Sequence, residues 1–185
     1  MNNDACSYRR YQNGDDSAFA LLVEEHYDAL VLFLNTFTHS LNAAEELAED
    51  TFVRIAIKKP KFREQCSFRT WLFAIGRNAA KDYLRKEAGK RETTAENIPE
   101  WTADDAEIER DYILEEQKKH LHRAMCTLKP EYRQVLWLVF FEEMTVGQAS
   151  LVMGKSGSSV EHLLRRAKQA LKDELLKEGF VYEES

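Results

Sequence analysis

Residues 144–171 read MTVGQASLVMGKSGSSVEHLLRRAKQAL, and this stretch decides how the chain is organised. Apolar residues recur at three- and four-residue steps on both sides of Gly154, which predicts two amphipathic helices. Gly154 can adopt the left-handed backbone conformation that ends a helix. The hydroxyl of Ser156 can then accept an unpaired N–H in the first turn of the next helix. The stretch therefore predicts two helices joined by a tight turn.

Two interpretations of this helix pair are open. It can be an ordinary αα-hairpin, or a helix-turn-helix whose second helix enters the major groove of DNA. The small Ala149 and Ser150 permit a close crossing of the helices, which favours the helix-turn-helix. The polar residues of the second helix face outward or flank that side: Ser158, Glu161, His162, Arg165, Arg166, Lys168 and Gln169.

The composition predicts an all-α protein. Of 185 residues, 44% are hydrophobic and 31% are charged, which fits a globular chain. Only 7 glycines and 3 prolines interrupt it, and no run alternates apolar with polar residues as a strand does. The start of the chain shows no signal segment, and no apolar run approaches the roughly 20 residues that span a bilayer. We therefore expect a cytoplasmic protein without membrane insertion. The three cysteines are odd in number, widely spaced and unpaired by any motif, so we expect no disulfide framework.

Charge divides the chain more sharply than the net value of −6 indicates. Residues 54–91 contain twelve basic and three acidic residues, whereas residues 92–116 contain ten acidic residues and one arginine. We interpret residues 91–110 as an acidic linker between two small helical domains, at 10–90 and 111–178. Basic residues interleaved with aromatic rings favour a single-stranded nucleic acid in the first domain. The alternative is that the rings are core and the cations only solvate the surface. As a further hypothesis, the acidic linker covers basic surfaces in the free protein.

Local signals place the remaining helices. Asp16 or Ser17 is expected to cap the first long helix, and Asn42 the next, which Pro60 ends. The third helix is expected to begin after Ser67. Residues 130–140 are apolar nearly all round, so we expect them to be buried. The histidines and cysteines fit no common metal site, so His26 is expected to be packed and hydrogen-bonded, and no metal or cofactor is assigned.

Once both domains are placed, the chain resembles bacterial RNA polymerase sigma factors of the extracytoplasmic-function (ECF) group. Residues 42–54 read NAAEELAEDTFVR, similar to region 2.2, which binds the polymerase clamp helices. Residues 68–86 read FRTWLFAIGRNAAKDYLRK, similar to regions 2.3 and 2.4, which open and read the minus-ten promoter element. Residues 128–136 and the helix-turn-helix resemble region 4, which reads the minus-thirty-five element. On charge pattern alone the acidic side of residues 42–54 is better explained as a solvated face. The resemblance instead implies a docking face.

The resemblance implies three sets of functional residues and no catalytic ones. Core polymerase binding falls to Glu45, Glu46, Glu49, Asp50 and Phe52. Contact with the minus-ten element falls to Lys61, Phe62, Arg63, Ser67, Arg69, Thr70, Arg77, Asn78, Lys81 and Arg85. Contact with the minus-thirty-five element falls to Ser158, Glu161, His162, Arg165, Arg166 and Lys168. The implied partners are core RNA polymerase, promoter DNA as duplex and as melted strand, and an anti-sigma factor.

Two other functions stay open from the sequence. A helix-turn-helix regulator acting without polymerase would leave the acidic helix and the block 62–86 unexplained. A degenerate family member with interactions but no promoter binding is kept open by Glu161 and Leu163, which stand where the family usually carries Lys or Arg. An enzyme is disfavoured, because the sequence shows no Gly-rich phosphate loop or nucleophile constellation.

Overall fold

The computed structural model describes residues 3–91 and 112–177, and the regular elements in these two ranges are helical. They are α1 (Asn3–Gln12), α2 (Asp16–Thr38), α3 (Leu41–Lys58), α4 (Phe68–Arg91), α5 (Tyr112–Thr127), α6 (Pro130–Leu136), a π-helical turn (Trp137–Phe141), α7 (Val146–Met153) and α8 (Gly157–Lys177). The predicted all-α class is therefore confirmed. Most of the predicted acidic linker lies outside the described residues.

The N-terminal unit is built around α2, which packs against α1, α3 and α4. The α2–α4 approach is close: a Cβ placed on Gly76 would lie 2.8 Å from Leu30 Cδ1. Helix α1 was not foreseen, and the predicted domain boundary at residue 10 falls inside it. Tyr8 of α1 is fully buried and its hydroxyl donates to the Pro60 carbonyl at 2.8 Å. Thus α1 fastens the loop after α3 to the core.

Helix ends in the N-terminal unit differ from the predicted ones by one or two residues. Asp15, rather than Asp16 or Ser17, caps α2 by accepting from the Ala18 N–H. Ser40, rather than Asn42, caps α3, because its extended backbone brings its hydroxyl to the Ala43 N–H. The other two signals hold. Helix α3 ends two residues before Pro60, and the Ser67 hydroxyl accepts from the Thr70 N–H at 3.1 Å.

The C-terminal unit packs α8 against α5, α6 and α7. Between α6 and α7 the chain widens into the π-helical turn, in which the Glu142 N–H donates to the Trp137 carbonyl at 3.1 Å. The prediction that residues 130–140 are buried throughout is wrong at this turn. Phe140 is 54% exposed and the adjoining Phe141 is 48% exposed. The π-helical turn holds one residue more than an α-helical turn, so the rings of Phe140 and Phe141 point away from the core.

The two units contact each other directly. Helix α4 packs against α7, and α2 contacts α6. We call this packing the closed arrangement. Cys6, Cys66 and Cys126 are free thiols, as expected. Among residues 3–91 and 112–177, none of the helices combines the length and apolarity that crossing a membrane requires.

Candidate nucleic-acid interface

The helix-turn-helix forms at the predicted position. Gly154 adopts the left-handed conformation at φ 61° between α7 and α8. The Ser156 hydroxyl accepts from the Ser159 N–H at 3.3 Å, which is the predicted cap of α8. Helix α7 begins with a capping box, in which Thr145 Oγ1 accepts from the Gln148 N–H and Gln148 Oε1 accepts from the Thr145 N–H. These local bonds define both ends of α7 and the start of α8.

Helix α8 presents the predicted polar side chains to solvent. The exposed members are Ser158, Glu161, His162, Arg165, Arg166 and Lys168. Arg165 Nη2 lies 3.0 Å from His162 Nδ1, while the Arg166 guanidinium and the Lys168 ammonium stand over the rings of Tyr132 and Phe140. Leu163 is 5% exposed. Its departure from the family pattern is therefore a feature of the core and removes no surface contact.

Helix α4 divides its predicted residues between two faces. Asn78, Lys81 and Arg85 are exposed and lie at steps of three and four, which places them on one side. Arg69 and Arg77 lie on the side that meets the C-terminal unit. The exposed Lys61 and Arg63 extend the basic surface from the loop before α4. Four cations and one amide of the predicted minus-ten set therefore face solvent in the closed arrangement.

Three of the predicted minus-ten residues are buried. Thr70 is 1% exposed and its hydroxyl lies 2.8 Å from that of Ser67. Phe62 is 9% exposed, and its ring packs among aromatic neighbours, with centroids 6.2 Å from Tyr8 and 5.3 Å from Trp71. In this conformation Phe62 stabilises the loop and offers no free ring face for a base. Arg77 is the third.

The C-terminal unit covers both arginines on the inner face of α4. Arg69 Nη1 donates to the Glu142 carbonyl at 3.2 Å, and Nη2 pairs with the Glu142 carboxylate. Trp137 Nε1 donates to the same carboxylate at 3.0 Å, and Glu142 is only 5% exposed. Arg77 is 7% exposed; burial lowers the pKa of its guanidinium, and the charge of Glu131 partly opposes that effect. No sequence pattern could show this contact, because the partners are more than 50 residues apart.

The acidic side of α3 is exposed at Glu46, Glu49 and Asp50 and half-buried at Glu45. Tyr27 of α2 donates to Glu49 Oε1 at 3.5 Å. Desolvation, and then the charges of Glu49 and Glu45, raise the pKa of this tyrosine. The acidic side thus acts electrostatically on Tyr27 in the middle of α2.

Phe52 does not belong to that surface. It is 5% exposed and packs between the rings of Phe19 and Tyr27, at centroid distances of 6.2 and 6.3 Å, so its ring belongs to the core in this structure. Its contact with polymerase stays a prediction. Sequence reasoning instead missed Val53 and Ile57, which are 53% and 77% exposed. Spacing from Glu46 and Asp50 at helical steps could have found them, because both fall off the apolar stripe of α3.

His26 is packed and hydrogen-bonded, as predicted. It is 5% exposed, and its Nε2 lies 3.2 Å from Asp4 Oδ2. Ligand atoms of Asp4, Glu25 and His26 lie within 4.8 Å of one another. No sequence pattern indicated this group, because Asp4 belongs to α1, which was not foreseen. In the C-terminal unit, burial lowers the pKa of His122 and raises that of the Cys126 thiol, so both groups favour their neutral forms.

Comparison with known proteins agrees with this geometry. The family model for Sigma-70 region 2 matches residues 22–90, and that for Sigma-70 region 4 matches residues 118–171. The ECF RNA polymerase sigma factor SigM of Bacillus subtilis (strain 168) is 31% identical over 140 residues, which cover 76% of this chain and 84% of SigM. The chain belongs to the ECF group of RNA polymerase sigma factors.

Further relatives of this sigma factor agree in length and fold. RNA polymerase sigma factor YlaC of the same organism is 29% identical over 160 residues, covering 84% of this chain and 91% of YlaC. Sigma factor RpoE, solved with the anti-sigma factor NepR from Bartonella quintana, superposes with a TM-score of 0.73 at 21% identity, covering 86% of this chain and 96% of that one. CnrH, solved with the cytosolic domain of CnrY, superposes with a TM-score of 0.67 at 24% identity, covering 92% of this chain and 96% of that one. At these identities the two structures show the shared fold. Sigma factors direct RNA polymerase to promoters and are generally non-catalytic.

Proposed function

We propose that this sigma factor uses three separate surfaces in the cytoplasm to start transcription. The acidic side of α3 binds core polymerase, the exposed side of α4 contacts the minus-ten strand, and α8 contacts the minus-thirty-five duplex. The observation that carries the proposal is the exposed row of Asn78, Lys81 and Arg85 on one side of α4. Lys61 and Arg63 are likewise exposed in the loop before that helix. Residues 10–90 and 111–178 serve as the two promoter-contacting domains, and residues 91–110 as the linker.

On the minus-ten strand, contacts form in two stages. The exposed cations of α4 and its preceding loop reach the phosphates first, since they need no rearrangement. Arg69 and Arg77 join only when the C-terminal unit moves off α4. Ser67 lies at the start of α4, where a flipped base can be held at the loop. Thr70 lies at the same end but is 1% exposed, so it can contact a base only after a local rearrangement. Phe62 contributes only if this loop rearranges.

On the minus-thirty-five duplex, α8 provides both acceptor and donor groups. Glu161 can accept from a cytosine amino group, and Arg165 can donate to a guanine edge or to a phosphate. Ser158 and His162 lie on the same exposed end of the helix. Arg166 and Lys168 are held over aromatic rings and supply positive charge toward the backbone.

The polymerase surface comprises charged and apolar groups together. Glu46 and Asp50 lie at helical steps from Val53 and Ile57, so acidic and exposed apolar side chains share one side of α3. An exposed apolar pair rimmed by charges is typical of a protein interface. Glu45 and Glu49 widen the acidic part toward Tyr27. A basic partner surface with an apolar centre fits this composition.

An anti-sigma factor completes the proposed partners. Among solved structures with the same fold, RpoE is bound to the anti-sigma factor NepR and CnrH to the cytosolic domain of CnrY. We propose that a regulator of this kind covers the basic side of α4 or the acidic side of α3. It would compete with DNA or with core polymerase.

Run-off transcription with purified core polymerase tests the proposal. The protein should confer initiation on matched promoter templates that core enzyme alone does not transcribe. A conventional DNA-binding regulator gives no transcript with core enzyme, and a degenerate family member binds core enzyme but gives no transcript. Either result would refute the proposed function.

Two variants separate the promoter contacts. Asn78→Ala should impair strand opening while duplex binding by α8 persists, with Asn13→Ala on an exposed turn as the matched control. Arg165→Ala should weaken the upstream contact by about 1–3 kcal/mol. Lys177→Ala at the exposed end of α8 is the matched control. Equal losses in a variant and its control would contradict the assignment.

A further inference from the structure

A cavity of about 250 Å³ lies between the two units and is lined mainly by apolar side chains. Leu32 of α2 and Leu121 and Met125 of α5 form its apolar walls, together with Trp137 and Phe141 of the π-helical turn. The volume is somewhat smaller than the roughly 300–1,000 Å³ of drug-sized ligand sites. It therefore suits a small amphipathic molecule of about ten non-hydrogen atoms.

Two residues that line the same cavity each hold a buried polar atom without a hydrogen-bond partner among the described residues. Arg133 is 5% exposed, and its Nη1 donates to the Cys126 carbonyl at 3.1 Å. Its Nε has no hydrogen-bond partner among the described residues, and neither does Asn35 Oδ1. No described carboxylate forms an ion pair with Arg133 in this structure. Burial lowers the pKa of its guanidinium. A buried cation thus lines an apolar cavity without a counter-charge from any residue that the structure describes.

A buried charge without a partner costs several kcal/mol, and a paired anion offsets that cost. The apolar walls of the cavity favour a ligand with a hydrocarbon chain over a hydrated inorganic anion. Ordered water could satisfy Nε and Oδ1, but it would leave the positive charge unpaired. We propose that this cavity binds a small amphipathic carboxylate, whose head accepts from Arg133 Nε and whose chain packs on Leu32, Met125 and Trp137.

The position of the cavity gives such a ligand an effect on the closed arrangement. Its walls come from α2 on one side and from α5, α6 and the π-helical turn on the other. A ligand that contacts both sides stabilises the arrangement in which they are together, by mass action. Arg69 and Arg77 are covered in that arrangement. The bound carboxylate therefore opposes minus-ten strand binding, a consequence that rests on the proposed function.

Calorimetric titration of the full chain with octanoate tests the site. The comparison ligands are 1-octanol and octylamine, which have the same chain and lack the negative charge. Octanoate should bind at least about tenfold more tightly than either, because a charge-assisted hydrogen bond discriminates by that factor. Equal binding of octanoate and octanol would overturn the proposal, as would no binding of octanoate at millimolar concentration.

Variants tie the binding to the cavity. Arg133→Met should weaken octanoate binding at least about tenfold, and Arg133→Lys should restore part of it. Arg123→Met, on an exposed position of α5, is the matched control. Leu32→Trp tests the site without touching the arginine, since Leu32 is 47% exposed and a larger ring would fill the cavity mouth. Leu21→Trp, 55% exposed on the same helix, should bind octanoate normally.

The outcomes separate the site from the proposed function. If Arg133→Met does not fold, Leu32→Trp still decides: unchanged octanoate binding in Leu32→Trp overturns the proposal. A final measurement is binding of a fluorescent minus-ten single strand with and without saturating octanoate. A protein that binds octanoate but no strand under either condition keeps the ligand site and loses the promoter role. Strand binding unaffected by bound octanoate would overturn the coupling to the closed arrangement.

Discussion

The pair formed by Arg69 and Glu142 holds α4 against the C-terminal unit, and neutralising Glu142 should loosen it. We expect Glu142→Gln to shift the balance toward a state in which α4 is uncovered. Arg69 keeps 37% of its side chain exposed, whereas Glu142 keeps 5%. An exposed ion pair contributes about 0–1 kcal/mol, and breaking a buried one costs about 3–5 kcal/mol. A glutamine oxygen can still accept from Trp137 and Arg69, so we expect a change near 1 kcal/mol.

A change of about 1 kcal/mol alters the ratio of closed to open molecules about fivefold. The affinity of the free protein for a melted minus-ten strand should rise by up to the same factor, since covered molecules reduce the apparent affinity. Fluorescence anisotropy with a labelled single strand measures this directly. The assay uses the variant at Glu142 because that residue lies outside the proposed DNA contacts.

The matched control is Glu143→Gln. Glu143 is the exposed neighbour, and its substitution removes the same charge without touching Arg69. If both variants raise strand affinity equally, the gain comes from reduced repulsion of DNA and the reasoning about covered arginines is refuted. Inter-unit distance measured by fluorescence energy transfer gives a second readout. It should lengthen in Glu142→Gln alone.

Three other changes have expected outcomes. Gly154→Ala should lower the free energy of unfolding by about 1–2 kcal/mol, because φ is 61° there. Gly89→Ala in α4 should raise the free energy of unfolding by about 0.5–1 kcal/mol, because a Cβ meets no atom within 4 Å at that position. Denaturant titration of the two variants measures both changes. Burial raises the pKa of Tyr8 from 10.0 to about 12, so the phenol stays protonated to a higher pH in the folded protein than in the unfolded chain. The resulting contribution to the free energy of unfolding is complete below pH 10 and is lost between pH 10 and 12. Tyr8→Phe should flatten that alkaline fall in stability, and an unchanged slope would contradict it. Ile57→Asp, at a 77% exposed site, should weaken core polymerase binding about tenfold or more without a change in melting temperature, while Leu21→Asp should not affect binding.

The elements that sequence predicted well are those specified by local signals. The helix-turn-helix depends on Gly154 and Ser156, and each acts through its own backbone or through an N–H three residues away. The end of α3 near Pro60 and the start of α4 after Ser67 have the same local character. The exposed set on α8 followed from its regular apolar spacing. Here residue type and position were sufficient.

The features that were missed depend on distant partners. Asp4 and Tyr8 find their roles only when α1 reaches His26 and the Pro60 carbonyl. The resemblance assigned Phe52 to polymerase binding, whereas its ring packs against Phe19 and Tyr27 of α2. The closed arrangement cannot be deduced from spacing, because Arg69 alone does not indicate its partner. Such contacts depend on the relative placement of helices, which no short pattern specifies.

The π-helical turn makes the C-terminal unit sensitive to chain length at one point. A π turn accommodates one residue more than an α turn, and each α-helical residue advances the chain by about 100°. Deleting a residue such as Val139 would restore an ordinary pitch and swing the segment after it by about that angle. Glu142 would then leave the side that meets Arg69. The packing of the two units therefore depends more on the number of residues between Trp137 and Glu142 than on their identity. Insertions or deletions of a single residue there should be tolerated poorly.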